Sequence, residues 1–211
     1  MRFLARPFQI AYILPSSKAV VRRVSAKIDY TKANTIVEFG PGEGCHTREI
    51  VGKMKPDARL LLFELDPQLT THLEEQFADD PRVEVLNIDA ACLRTELDKR
   101  GIDYCDYVIS GIPFSVIDVK KKRSILQTVF DSLAPNATAA FIIYQVTNEL
   151  KQYATMFARA ESQYFTPNIP PMIVTAYYKQ AQEGKAKGKE HAPHPKQRKE
   201  NRPALVARQK G

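Results

Sequence analysis

The chain has few cysteines, no stretch apolar enough to cross a bilayer and, over its first 27 residues, no acidic side chain. Each shortage excludes something. Cys45, Cys92 and Cys105 are odd in number and stand in no C-x-x-C or histidine-linked spacing, so neither a disulfide framework nor a zinc site is expected. No residue is assigned to a metal, and a reducing cytoplasm is the default compartment. No run approaches the ~20 apolar residues of a membrane-spanning helix. The piece from Phe8 to Leu14 is short, contains Gln9 and ends at Pro15, which also makes it a poor signal peptide. No repeat with a period of about 20 to 50 residues is visible, so solenoids and propellers are set aside.

What is present suits one globular core: 211 residues with 44% hydrophobic content, leaving room for at most a small second unit. The net charge of +7 is unevenly spread. Residues 1–27 hold six Lys/Arg and no acid, residues 28–178 hold 15 basic against 21 acidic, and residues 179–211 hold ten basic against three acidic. An acidic body with two basic ends predicts a polyanionic partner, either an anionic lipid surface or RNA. Solubilising termini are the plain alternative.

The stretch Val37-Glu38-Phe39-Gly40-Pro41-Gly42-Glu43-Gly44 organises the chain. An apolar run, Thr35-Ile36-Val37, leads into three glycines at alternate positions and then an amphipathic segment, which predicts strand, turn and helix. Glycine is required where the backbone takes positive φ or must approach a ligand with no Cβ in the way, and a helix start offers unpaired amides. A nucleotide-like ligand fits there. The spacing differs from the dinucleotide fingerprint G-x-G-x-x-G. It resembles motif I of the class I S-adenosylmethionine methyltransferases.

Further along, Arg59 to Glu64 reads as a buried strand ending in an acid, placing Glu64 where ligands bind at the carboxyl ends of a parallel sheet and where a carboxylate can accept from ribose hydroxyls. Asp66, before Pro67, is expected to cap a helix from Gln68 to Phe77. The strand Val83 to Asn87 leads to Ile88-Asp89-Ala90. Asp89 is either an N-cap for Ala91 to Arg100 or an acceptor for an adenine amine, and an acid at this place in S-adenosylmethionine methyltransferases favours the second. The remaining expectations are helices over 18–28 (capped by Ser16-Ser17), 45–54, 118–133 and 149–160, and strands over 105–109, 139–144, 163–166 and 172–178. The run Lys120-Lys121-Lys122-Arg123 opposes the dipole of the helix it opens; it reads as a solvated charge run or as a phosphate holder. His191 and His194 lie in a polar tail and are read as solvated.

The turn Ser110-Gly111-Ile112-Pro113-Phe114 is similar to the Asn-x-Pro-Tyr motif of adenine dimethyltransferases, read with Ser110 in place of Asn and Phe114 in place of Tyr. Three motifs together resemble the bacterial phospholipid N-methyltransferases: Pro15-Ser16-Ser17, Ser110-Gly111-Ile112-Pro113 and Asn168-Ile169-Pro170-Pro171. That resemblance implies a seven-stranded Rossmann-like α/β sheet of order 3-2-1-4-5-7-6 with the last strand antiparallel and helices on both faces. It implies S-adenosylmethionine as cofactor, held by Glu38, Gly40, Gly42, Gly44, Glu64, Asp89, Ala90, Ser110, Ser16 and Ser17. Ser110 would orient the acceptor amine, with Tyr144 or Phe114 facing the methylated cation. The expected organisation is an amphipathic segment (1–30), a cofactor-binding domain (31–179) and a basic disordered tail (180–211). The expected activity is methylation of phosphatidylethanolamine towards phosphatidylcholine by a cytoplasmic protein peripheral on the inner membrane face. Docking would be to anionic lipid through residues 1–27, with the tail auxiliary. The alternatives are an rRNA adenine dimethyltransferase, which would add RNA as partner, and a non-catalytic S-adenosylmethionine-binding protein at membranes.

Overall fold

The computed structural model describes residues 17–166 and 171–180. Seven strands form one sheet: β1 (Thr35–Phe39), β2 (Arg59–Phe63), β3 (Val83–Leu86), β4 (Tyr107–Ser110), β5 (Ala140–Gln145), β6 (Arg159–Phe165) and β7 (Met172–Tyr178). Their order is β3-β2-β1-β4-β5-β7-β6, as expected. The first five are parallel, while β7 runs antiparallel to both β5 and β6.

Central strands buried on both faces need apolar side chains on both, and β1 is buried at all five positions. Val37 and Phe39 join one core with Leu61, Phe63, Val108 and Phe141, under α4 (Leu93–Lys99) and α5 (Val119–Ser132). Ile36 joins the opposite core with Leu60, Leu62, Ile109 and Ile142, under α1 (Lys18–Ser25), α2 (Cys45–Val51) and α3 (Pro67–Gln76). Helix termini follow local chemistry. The Asp66 carboxylate accepts from the amides of Gln68 and Leu69, capping α3 with Pro67 as its first residue, and Asp118 caps α5 by accepting from the Lys121 amide.

Helix α1 buries its stripe of Val20, Val21 and Val24 against the body, so that apolar surface is spent on the core. Ser17 caps this helix, its Oγ accepting from Val20 N at 3.4 Å. Ser16, the segment before it, Asn168 to Pro170, and the tail with His191 and His194 lie outside the described residues.

The helix expected over 149–160 is absent. Leu150, Ala154 and Phe157 are buried at helical spacing, but the chain makes only a 3₁₀ turn over Glu149–Gln152. Beyond it β6 pairs with β7 from Arg159↔Tyr178 to Phe165↔Met172, so the hairpin takes residues that a helix would need. The strand expected over 163–166 therefore begins four residues earlier.

Candidate active site

Four strand ends and α5 enclose a cavity of about 380 Å³. The β1–α2 turn contributes Gly40, Gly42 and Glu43; the end of β2 contributes Phe63, Glu64 and Leu65; the end of β3 contributes Ile88, Asp89 and Ala90. The β4 turn adds Gly111, Ile112 and Pro113, and α5 adds Lys121 and Ile125.

The Gly-rich turn depends on backbone that other residues adopt only under strain. Gly40, Gly42 and Gly44 have φ of 63°, 57° and 75°. The three differ in what they approach. A Cβ on Gly42 would meet nothing within 4 Å, so its side-chain position borders open space at the cavity. A Cβ on Gly44 would come within 2.9 Å of the Gln76 amide nitrogen and 3.2 Å of Leu73 on α3, so this glycine serves helix packing rather than the ligand approach expected of it.

Glu64 links turn and strand end. Its Oε2 accepts from Gly42 N at 3.2 Å and its Oε1 from Asp66 N at 3.0 Å. A carboxylate offers about four acceptor sites, so two directions remain for hydroxyls in the cavity. Asn87, which the sequence reading passed over, donates to the Glu64 carbonyl at 3.0 Å and to Thr70 Oγ1 at 3.1 Å, tying the ends of β2 and β3 together.

Asp89 fulfils its N-cap reading and lines the cavity as well. One oxygen caps the 3₁₀ turn Ala90–Cys92, accepting from Ala91 N at 2.8 Å, while the other pairs with Lys121 Nζ at 2.6 Å across the cavity. Burial pushes the Asp89 carboxyl up, but the Lys121 and Ala91 hydrogen bonds and the Lys121 charge outweigh it and hold the group below its ordinary range. The basic run of α5 is thus not uniformly solvated: Lys121 reaches Asp89, and Lys122, almost fully buried, pairs with Glu149. Spacing gave no sign of this, because both partners come from distant strand ends.

Glu38 lies beneath the turn and is fully buried. Its Oε2 accepts from Thr47 Oγ1 of α2 at 2.7 Å, while Oε1 has no protein partner. Burial pushes its carboxyl up to about 7, with the Thr47 hydroxyl pulling the other way. Next to Thr47 in sequence, His46 is buried with Nε2 unpartnered, and burial pushes its imidazole down to about 4. That ring stacks on Tyr144 at the end of β5, with centroids 4.2 Å apart and planes 25° apart.

Two expected catalytic residues are placed differently. Ser110 is buried, and its Oγ accepts from Ile112 N at 3.2 Å, which holds the turn. Phe114 is fully buried and packs edge-on against Phe141 at 6.3 Å, so its ring belongs to the core under α5 and offers no face to the cavity. Counting back from Pro113-Phe114, the Asn position of Asn-x-Pro-Tyr falls on Gly111 rather than Ser110. Ser17, exposed and engaged as a helix cap, is not at the cavity either.

These residues fit S-adenosylmethionine. There is open space beside Gly42, Glu64 and Asp89 stand at adjacent strand ends as acceptors for hydroxyls and an amine, Leu65 presents an uncovered apolar face, and an orphaned carboxylate oxygen of Glu38 sits under the turn. Sheet order and site define a class I S-adenosylmethionine-dependent methyltransferase. The family model described as ribosomal RNA adenine dimethylase matches residues 12–160, and the chain belongs to that family. It is 29% identical over 170 residues to an ornithine lipid N-methyltransferase of Singulisphaera acidiphila, covering 81% of this chain and 88% of that protein. It is 33% identical over 100 residues to a ribosomal RNA small subunit methyltransferase H of Bordetella avium, covering 47% of this chain but only 28% of the relative. Among solved structures, a precorrin-6y C5,15-methyltransferase of Geobacter metallireducens superposes with a TM-score of 0.60 at 14% identity, covering 80% of this chain and 91% of that one. That last likeness speaks to the fold.

Proposed function

We propose that this methyltransferase acts on a lipid amine at an anionic membrane surface, with phosphatidylethanolamine as acceptor and phosphatidylcholine as the end of successive transfers. The observation that carries the reading is the extent of the likeness to the ornithine lipid N-methyltransferase, which spans most of both chains. The ribosomal RNA relative is matched over less than a third of its length. A second support is the burial of Phe114, which removes from the cavity the aromatic ring on which a flipped adenine would stack.

S-adenosylmethionine supplies an electrophilic methyl group at the β1–β4 strand ends. Glu64 would accept from ribose hydroxyls, Asp89 would accept from the adenine amine while Lys121 fixes its carboxylate, and the glycine turn would let the methionine portion lie against bare backbone. The apolar wall of Phe63, Ile88, Ile112 and Ile125 keeps water away from the reacting centre. The protein's main contribution is alignment of amine and methyl, where well-oriented reactants gain several kcal/mol, roughly 7–11 at the most.

Because the α1 stripe faces the core, docking falls to the basic face of α1, where Lys18 and Arg22 are exposed, and to the terminal segments on either side of the body. Each cation near an anionic surface adds about 1 kcal/mol, fading beyond a Debye length. In this reading the protein is a peripheral enzyme on the cytoplasmic side.

Transfer of labelled methyl to vesicles tests the reading. Vesicles carrying phosphatidylethanolamine, vesicles carrying ornithine lipid and a structured RNA would be compared under one set of conditions. Label in the first is expected; label in the second alone moves the headgroup, and label in RNA alone makes the chain an adenine methyltransferase. No transfer despite S-adenosylhomocysteine binding would leave a non-catalytic membrane sensor.

A further inference from the structure

The exposed large aliphatic side chains among the described residues gather at the cavity end of the sheet. They are Leu65, Val116 and Val119. Leu65 follows β2 and lines the cavity, while Val116 and Val119 flank the cavity residue Ile117 in the stretch that joins β4 to α5. The run Lys120-Lys121-Lys122-Arg123 divides at the same place. Lys121 and Lys122 pair with Asp89 and Glu149, whereas Lys120 and Arg123 are exposed with no partner among the described residues. Lys120 sits in the first turn of α5, where a cation opposes the helix dipole. The exposed acids beside these residues in sequence are helix caps: Asp66 takes the amides of Gln68 and Leu69, and Asp118 takes the amide of Lys121. The lip of the cavity on the α5 side therefore presents aliphatic surface next to unpaired positive charge.

We propose that this lip, formed by Val116, Val119, Lys120 and Arg123, seats the cavity mouth on an anionic bilayer, the valines entering the interface and the two cations meeting lipid phosphates. The inference rests on the lipid-amine reading and deepens it. A lipid amine is anchored by acyl chains that stay in the bilayer, so the opening of the enzyme must come to the interface. The cations of α1 and of the terminal segments attract an anionic surface without selecting which end of the sheet meets it; the lip makes that selection. Apolar burial and attraction to anionic headgroups add together at such an interface. RNA would use the cations but leave the valines idle: bases stack on aromatic rings or guanidinium planes, and Phe114, the aromatic of this turn, is buried.

The chain contains no tryptophan, so a single one reports on its own surroundings. Val116→Trp in the full chain is expected to shift its emission to the blue on vesicles of phosphatidylethanolamine and phosphatidylglycerol, and to be quenched by brominated acyl chains. Tyr164→Trp, exposed on the margin strand β6, is expected to do neither. Two double variants supply the strength of docking, and both are expected to bind S-adenosylhomocysteine like the parent. Lys120→Gln with Arg123→Gln should weaken vesicle binding about 10-fold or more at low salt, and Val116→Ser with Val119→Ser several-fold at any salt. Their turnover of a short-chain phosphatidylethanolamine dispersed as monomers should equal the parent's, since only docking is removed. Vesicle-bound protein with no change at Val116→Trp, or with the change at Tyr164→Trp instead, overturns the inference and leaves the lipid reading standing. So does emission from Val116→Trp that is already blue and shielded without vesicles, which would mean that residues 1–16 or a second copy cover the lip. A parent that methylates RNA alone ends the lipid reading; the reporter then decides the lip, a shift on vesicles upholding it and a shift on RNA overturning it.

Discussion

The β3–β1 side of the cavity and the β4–β5 region beside it are built by different means. From β3 to β1 the site consists of backbone in left-handed conformation and of carboxylates one (Glu64) and three (Asp89) residues past a strand, each taking an amide two positions on. Glu64, for example, takes the Asp66 amide two positions on. From β4 to β5 the region consists of side chains that meet only because the sheet and α2 bring them together: Gly111 from one strand end, Tyr144 from the next, and His46 from a helix on one face. A site assembled from local geometry tolerates change in the surrounding body but little change in its own residues. A site assembled across elements has the reverse vulnerability.

The largest effect expected on the β3–β1 side is from Glu64→Ala, which removes the proposed acceptor for ribose and the tie to Gly42 N. Charge-assisted hydrogen bonds contribute about 1.5–3 kcal/mol each, so affinity for S-adenosylhomocysteine should fall about 100-fold by calorimetry; undiminished affinity would remove Glu64 from the site. Next comes Gly44→Ala, where strain at φ 75° adds to a clash with α3. It should cost roughly 2 kcal/mol of stability, read as a lower melting temperature in the absence of cofactor. An unchanged melting temperature would show that α3 yields without cost.

A smaller effect, confined to one pH window, is expected at Glu38. Its carboxyl is raised from 4.5 to about 7 by burial. Below about pH 4 both folded and unfolded chains hold the proton and nothing is lost; as pH rises towards 7 the unfolded chain ionises while the folded one resists, so stability declines. Glu38→Gln should therefore melt higher than the parent at pH 8, by on the order of 1–2 kcal/mol, and no higher at pH 4. His46 has the opposite sign. Its imidazole, lowered from 6.5 to about 4, costs nothing above pH 6.5 and destabilises as pH falls below it, so His46→Phe should flatten the acid side of the same profile. Smallest is Lys121→Met. The Lys121–Asp89 pair is about one-third exposed on each side, where such pairs contribute about 0–1 kcal/mol. A two- to threefold loss of S-adenosylhomocysteine affinity, shrinking with added salt, is expected; a large loss would make Lys121 a direct ligand.

The same division explains what could be read from the sequence. The glycine turn, Glu64 at a strand end and the caps at Asp66 and Asp89 follow from short-range patterns, namely apolar runs, glycine spacing and an acid after a strand, while the sheet order came with the family resemblance. Lys121 and Lys122 looked like a solvated run because neither Asp89 nor Glu149 is near them in sequence. Phe114 and Ser110 were expected at the site because their turn is there, but a turn's position does not say which way its side chains point, and both point into the body. The 149–160 segment has apolar residues at helical spacing, and only the long-range pairing of β6 with β7 reveals why it is not a helix.

Seven strands in this order leave two margins, β3 and β6. An uncovered margin presents unpaired N–H and C=O groups on which a second chain can add as an eighth strand, the first step towards aggregation. Both margins carry charge against it. β3 is only four residues long, and its Glu84 is gripped by Arg100, whose Nε donates at 2.9 Å. β6 places Arg159, Glu161 and Gln163 at alternate positions, and the last two are engaged by Lys27 and Arg23 at 3.3 Å each. Lys27 and Arg23 therefore have an occupation besides any partner they meet: they cover the β6 margin with engaged charge, which opposes the addition of a strand from a neighbouring copy.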